Sequence, residues 1–399
     1  MERFDLIICG AGPAGAALAS ALTPWLRRIA LVDAHAARLE AARVTDHRVL
    51  ALADSSVRIL AGLGLWRQLG PRATAIRQVE LATGGNRPGA SLDGRQRGLG
   101  ALGYTLPAAE LIAVLHRHLS QRGVNWIAPA TLEEVTVGAT EVTVHAGDRQ
   151  LGAPLLVGAD GTHSRVREAL GIGSHEHDYA QQAIVARVES TPPGADIAYE
   201  VLTPGGPLAL LPESAGWALV WVQPQAASEE LLALADSDFL VRLQAQLGTS
   251  VRLTALKGPR SSYPLKQLSA WTLTAERTAL IGNAAHTVHP IGAQGFNLGL
   301  RDAATLAEGI ANAVRAGMDL GDPALLTAYA GRRLADHRRV LAFTDGLARL
   351  LDECTPARKN WFGLGLELLQ RLPPLRSALV HIGTGGLDAP TRLGRGLPL

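Results

Sequence analysis

Three short glycine-centred turns carry the residue types that could do chemistry. Gly10-Ala-Gly12-Pro-Ala-Gly15 has the spacing of a tight turn whose backbone approaches a pyrophosphate. Asp33 stands 18 residues past Gly15, where a carboxylate can hold a ribose hydroxyl pair. An acid there disfavours a 2′-phosphate in the same pocket. The second turn is Gly158-Ala-Asp160-Gly161. Asp160 reads either as a helix N-cap or as an acceptor for ligand hydroxyls where the backbone offers only amides. The third stretch runs Gly282-Asn283-Ala-Ala, then His289-Pro290-Ile-Gly292, then Gln294-Gly295-Phe296-Asn297. Open amides at a helix start favour negative charge, on a phosphate or on a planar anionic ring. Taken alone, this stretch is equally an ordinary strand–turn–helix of a core.

Each turn needs a strand before it and a helix after it, and the apolar patterning provides both. Residues 4–9 read as a buried strand, Ala16–Leu22 as a helix, and Ile29–Val32 as a second strand, which makes a Rossmann-like βαβ unit. An apolar strand over 155–158 precedes Asp160, and another over 278–281 precedes Gly282. Beyond Gln294, Leu300, Ala303, Ala307, Ile310 and Val314 fall three or four apart, which predicts a helix. Arg48 precedes an apolar run; it either reaches back to phosphates or is a solvated arginine at the entry of a helix over 55–63. A helix is expected over 108–121, with strands at 126–127, 132–137 and 141–144.

From Ala183 to Trp271 the character changes. Strand segments over 183–188, 197–202, 208–211 and 217–222 alternate with Pro/Gly turns, which suggests a mainly antiparallel sheet interrupted by one helix over 228–247. The expected organisation is α/β. Residues 1–75, 105–180 and 272–345 make a discontinuous nucleotide-binding domain, and 76–104 with 181–271 make an inserted, mainly antiparallel substrate domain. A long amphipathic helix is expected over 323–352, and residues 346–399 form a C-terminal helical tail with an apolar helix Trp361–Leu372, a break at Pro373-Pro374 and a weakly structured end.

Composition narrows the function classes. Net charge is +2 with 19% charged residues, and no basic cluster suggests nucleic acid. Two cysteines, Cys9 and Cys354, cannot build a disulfide framework. No transmembrane helix is expected, and glycines and a proline inside 4–22 spoil a signal-peptide reading, so the expected location is cytoplasmic. His286 and His289 lie three apart but have no third ligand nearby in sequence, so no metal site is expected. The run His175-Glu-His-Asp178 reads as an exposed loop.

The three turns together, with Ser164-x-Val166-Arg167, Gly206-Pro207-Leu-Ala-Leu-Leu-Pro212, Tyr263-Pro264-Leu265 and Asn297-Leu-Gly-Leu-Arg301-Asp302, resemble the FAD-dependent aromatic hydroxylases of the para-hydroxybenzoate hydroxylase fold. Within these the chain is similar to the ubiquinone-biosynthesis hydroxylases, over roughly residues 4–345. Asn283, where most members carry Asp, is similar to the branch acting on 2-polyprenyl-6-methoxyphenols. Ala293 replaces a usual glycine.

The resemblance implies non-covalent FAD, reduction by NAD(P)H or another donor, and O₂ addition to give a flavin hydroperoxide that oxygenates a lipophilic phenol. It implies that the flavin carries the chemistry, with no catalytic side chain. The implied cofactor-binding residues are Gly10, Gly12, Gly15, Asp33, Arg48, Asp160, Asn283, Pro290, Gly292, Gln294, Gly295, Phe296 and Asn297. Implied partners are other ubiquinone-biosynthesis proteins and peripheral contact with the inner membrane. An isoprenoid-reducing flavoenzyme of the same fold and a non-catalytic flavin-holding subunit are the competing expectations.

Overall fold

The computed structural model describes residues 1–37, 48–83, 87–191, 196–203, 205–249, 251–352, 365–385 and 390–399. Cys354 and Trp361 lie outside them. The apolar runs Leu6–Cys9, Ile29–Val32 and Leu156–Gly158 are buried at every position, as strands covered on both faces must be. They belong to a six-stranded sheet in the order Thr274–Ala275, Thr278–Leu280, Leu156–Gly158, Leu6–Cys9, Ile29–Val32, Asn125–Ile127. All neighbours are parallel except the edge pair Thr274–Ala275 with Thr278–Leu280. The chain leaves Leu6–Cys9 toward one side and later returns on the other, so the strand order reverses there. Ligands of open α/β sheets bind outside the carboxyl ends of strands at such a reversal. All three glycine turns start at the carboxyl ends of three adjacent strands of this sheet.

The helix Pro13–Leu22 starts on a proline and is buried from Gly15 to Leu22. It packs against the helix Gln294–Ala316. A second, nine-stranded sheet contains the 18-residue strand Ser174–Thr191, with Ile197–Thr203, Gly206–Glu213, Gly216–Pro224 and Ser261–Ala270. Gln78–Thr83 and Arg87–Asp93 extend the same sheet, the former parallel to Ile197–Thr203. The sheet is otherwise antiparallel. One of its faces is closed by Phe239 and Leu243 packed on Trp217 and Trp221, with Trp221 edge-on to Phe239 at 5.8 Å. Its other face is left to line a cavity.

Three sequence expectations are corrected. The helix over 228–247 is two helices, Gln225–Ala233 and Asp236–Leu247. Leu234 and Ala235 are extended between them, and Asp236 and Asp238 open the second with charges that suit a helix start. The run His175–Asp178 is strand, the exposed beginning of the long Ser174–Thr191 element, and not loop. Its pairing partner, Ser261–Ala270, supplies the hydrogen bonds that its polar composition did not advertise. The end is not weakly structured where it is described: it holds the helix Pro373–Gly383 and a short helical turn, Leu393–Arg395. The break expected at Pro373-Pro374 is there, and a new helix, Pro373–Gly383, begins on it, because a first-turn amide has no intrahelical partner to lose. Before it, residues 365–371 are helical.

Candidate active site

The glycines of the first turn divide by what surrounds them. Gly10 has φ +106°, and a Cβ there would lie 2.2 Å from the Ala159 carbonyl oxygen. At Gly15 a Cβ would lie 2.0 Å from the Gly10 carbonyl oxygen. Both glycines therefore serve close packing between turns. Gly12 has ordinary backbone angles, φ −64° and ψ 179°, and nothing within 4 Å of its Cβ position. It opens onto a large cavity. Asp33 accepts the Ala11 amide at 2.6 Å and the His35 amide at 2.7 Å, one on each carboxylate oxygen. Each oxygen keeps a further lone pair for a hydroxyl.

The second turn is fixed from within. Asp160 accepts the Ser164 hydroxyl at 2.5 Å and the Val166 amide at 3.1 Å. Ser164 is the N-cap of the helix Arg165–Ala169, accepting from the Arg167 amide. The buried Arg167 guanidinium donates to the Ala284 carbonyl at 2.9 Å and the Thr162 carbonyl at 2.8 Å, which bolts the second turn to the third. Asn283 is exposed and lines the cavity.

Behind the third turn lies a buried ionic cluster. Asp302 accepts the Gly282 amide at 3.0 Å, and His286 Nε2, Arg333 Nε and His337 Nε2 at 2.7 Å each. Arg301 and Arg333 both pair with Asp336. Burial alone would raise the Asp302 carboxyl, but His337, Arg333 and His286 outweigh it and hold the group well below the usual range. Burial pushes His337 down to about 4, against the opposing pull of Asp302. Among the described residues His286, Asp302 and His337 are the group with ligand atoms close enough for a metal, all within 4.8 Å of one another, and His289 is not a member. Most of the cluster's hydrogen bonds are made internally, although His286 Nδ1 and Arg301 Nη1 have no partner among the described residues, and the cluster joins Gly282, Gln294–Ala316 and the helix Pro323–Asp352.

The loop before Gln294 is wound into the left-handed region at two successive residues, Gly292 at φ +68° and Ala293 at φ +51°. Gln294 is buried and donates to the Gly292 carbonyl, leaving its Oε1 without a partner. His289 is buried edge-on to Tyr179, and burial pushes its imidazole down to about 4. The Asn297 carbonyl accepts the Ala53 amide and the Ser56 hydroxyl, while its amide donates to the Ala51 and Ala293 carbonyls. Its side chain thus clamps the strand Val49–Ala53 to the loop.

One continuous cavity of about 1770 Å³ joins these parts. Of the residues singled out in the sequence, it is lined by Gly12, Arg48, Asp160, Asn283, Pro290, Gly292, Gln294, Gly295, Phe296 and Asn297. Gly10, Gly15 and Asp33 are not on its wall. The open face of the nine-stranded sheet also lines the cavity, with Leu81, Leu202, Leu211 and Val220, as do Leu366 and Leu369 of the tail. A single small-molecule pocket usually measures roughly 300–1,000 Å³, so this space suits two ligands.

The chain matches the FAD binding domain family over residues 3–344. It is 35% identical to the ubiquinone hydroxylase UbiL of Rhodospirillum rubrum, an alignment covering 99% of this chain and 93% of that one. The chain belongs to the FAD-dependent ubiquinone hydroxylase family. It is an FAD-dependent aromatic monooxygenase.

Another relative is the 3-demethoxyubiquinol 3-hydroxylase of Escherichia coli, 30% identical over 96% of this chain and 99% of its own. Among solved structures, p-nitrophenol 4-monooxygenase PnpA of Pseudomonas putida shares the fold, with a TM-score of 0.78 at 18% identity over 96% of this chain and 98% of that one. Pseudomonas aeruginosa PqsL in complex with 2-aminobenzoylacetate has a TM-score of 0.79 at 23% identity, covering 92% and 99%.

The site fits the family's cofactor. Gly12 leaves an empty cradle at the carboxyl end of the central strand, Asp33 keeps free lone pairs beside it, and Gln294 aims an unpartnered oxygen within the loop. Sequence reading did not assign Arg167 and Asp302 their joining roles. Their signal was present as charged residues inside otherwise apolar helical patterns.

Proposed function

We propose that this monooxygenase hydroxylates the aromatic ring of a polyprenyl phenol, of the 2-polyprenyl-6-methoxyphenol type. The observation that carries the reading is the continuity of the cavity from the glycine turns to an apolar sheet face. FAD bound at the turns supplies the redox chemistry, taking electrons from NAD(P)H or another donor and activating O₂.

The chain's residues do the rest. Gly12 lets backbone amides of the first turn reach the pyrophosphate, and Asp33 holds the ribose hydroxyls. Arg48, on the cavity wall, would pair with the phosphates, and Asp160 and Asn283 would offer hydrogen bonds to the ribityl chain. Pro290, Gly292, Gly295 and Phe296 shape the wall against the ring, where the amides of the loop favour developing negative charge. Asn297 contributes by holding that loop, since its own side chain is fully used.

The six-stranded sheet half would hold the cofactor, and the nine-stranded sheet half the phenol ring and its tail. Among the described residues no helix is long and apolar enough to cross a membrane. Lipophilic substrate would then enter by peripheral contact or from other proteins of the same biosynthesis. Deleting the gene and identifying the quinone precursor that accumulates tests the assignment. A polyprenyl phenol lacking one ring hydroxyl is expected, and unchanged ubiquinone with no such precursor overturns it.

A further inference from the structure

The substrate wall carries one ionisable group that the cofactor chemistry does not use. Glu200 lies on the strand Ile197–Thr203, and residues 198, 200 and 202 of that strand face the cavity at the two-residue period of a strand. Its neighbours across the sheet are Leu81 on one side and Ala209 on the other. Glu200 makes no hydrogen bond and no ion pair among the described residues. The other titratable groups on the cavity wall are Arg48, Asp160, His163, Tyr199, Tyr263 and Lys266, and none of them pairs with it. On the adjoining strand, Glu80 is engaged by Gln78. A partly buried carboxyl in an apolar wall with no partner is costly to keep, so a ligand that donates a hydrogen bond is the natural complement.

We propose that Glu200 is the polar anchor of the phenol hydroxyl and the base that accepts its proton during hydroxylation. This rests on the aromatic monooxygenase reading above and names the residue that meets the ring. As a ring carbon attacks the activated oxygen, a C–O bond forms, the O–O bond of the oxygen donor breaks with its electron pair leaving on the far oxygen, and the phenol O–H bond breaks. Its electron pair stays on oxygen and spreads into the ring, and the proton forms an O–H bond on Glu200. When the ring regains aromaticity it releases the displaced ring proton to solvent, and Glu200 returns its proton to the phenolic oxygen. The phenoxide-like oxygen activates the ring positions ortho and para to it, which matches an electrophilic oxygen transfer. Burial among apolar atoms pushes the Glu200 carboxyl up to about 7, which brings it closer to a phenol near 10 than an ordinary carboxylate is. The ionised form is the acceptor, so kcat/KM should rise as pH passes through about 7 and level off above it.

The test uses FAD-loaded full-length protein, a 2-methoxyphenol bearing one isoprene unit, and the O-methyl ether of that phenol. Binding is read by flavin fluorescence without turnover. Wild type should bind the phenol about tenfold more tightly than the ether, and Glu200→Leu should erase that preference while still binding FAD. Glu200→Gln, which can still accept a hydrogen bond but not a proton, should lose about a hundredfold in kcat and lose the limb near pH 7. Glu200→Asp should recover part of both. Equal binding of phenol and ether by wild type, or a preference that survives in Glu200→Leu, overturns the anchor. A Glu200→Gln enzyme with wild-type kcat and pH profile overturns the base. Failure of wild type to hydroxylate the phenol counts against the substrate assignment instead, and the binding comparison still decides Glu200.

Discussion

Gly12 is the glycine of the first turn whose side-chain position is empty, and its backbone angles suit any residue. Gly12→Val should therefore fold with a melting temperature close to that of wild-type apoprotein, yet purify without FAD, because its side chain occupies the cradle. Flavin absorbance per protein and apoprotein melting check both halves; stoichiometric FAD in the variant would remove Gly12 from the site. At Gly10 and Gly15 the same substitution strikes backbone oxygen at 2.2 and 2.0 Å, so loss of FAD there would report misfolding. The sequence spacing marked all three glycines alike, since a motif records where glycine stands and not whether a ligand or a neighbouring turn excludes its Cβ. Asn297 shows the same limit. Its position beside the flavin loop was legible, but three of its four hydrogen bonds, to Ala51, Ala53 and Ser56, depend on chain separated by more than two hundred residues. Glu200 was invisible for the opposite reason: one acid in a strand looks like any solvent-facing residue until the sheet is assembled around it.

At the scale of elements, the strands and helices that flank the glycine turns were legible because fully apolar runs and 3.6-residue spacing are local signals. What joins them was not, because it is made by charges. Asp302 receives one backbone amide and three side chains from three elements, and Arg333 has no solvent to turn to if that carboxylate is removed. Breaking a buried pair on one side costs about 3–5 kcal/mol, so Asp302→Ala should lower the urea midpoint by that equivalent and loosen FAD through the freed Gly282 amide. An unchanged midpoint would show that the cluster is not a joint. Ala293 poses a related question, since a non-glycine residue holds φ +51° in the loop. Its conformation persists because Asn297 fixes its carbonyl from the helix and Pro290 accepts its amide at 2.8 Å.

At the scale of the molecule, two sheets share one cavity, and the tail supplies part of its wall. Leu366 and Leu369 line it, while Leu368, Leu372 and Leu375 project outward at 50%, 41% and 43% exposure. The helical residues 365–371 thus offer apolar surface to the cavity through Leu366 and Leu369 and to whatever lies outside through Leu368, and Leu372 and Leu375 extend the outer surface. A tail that enters the apolar wall gains about 0.8 kcal/mol per buried CH₂, up to roughly 3–4 kcal/mol for a five-carbon isoprene unit that is fully enclosed. Ordering the tail reduces that gain, so the first unit should raise kcat/KM about tenfold or more, and later units less as they pass beyond Leu366 and Leu369. The series is 2-methoxyphenol with zero, one and two isoprene units in controlled detergent, read as hydroxylated product. Equal kcat/KM for the tailless phenol and the prenylated ones would make a small soluble aromatic the better substrate. Replacing Leu366 with Ala should blunt the first step of the series while leaving the tailless phenol unaffected, because only a chain long enough to reach the tail helix can sense the missing side chain. A Leu366→Ala enzyme that slows all three phenols alike would show instead that the tail segment holds the fold of the cavity and does not read the substrate's length.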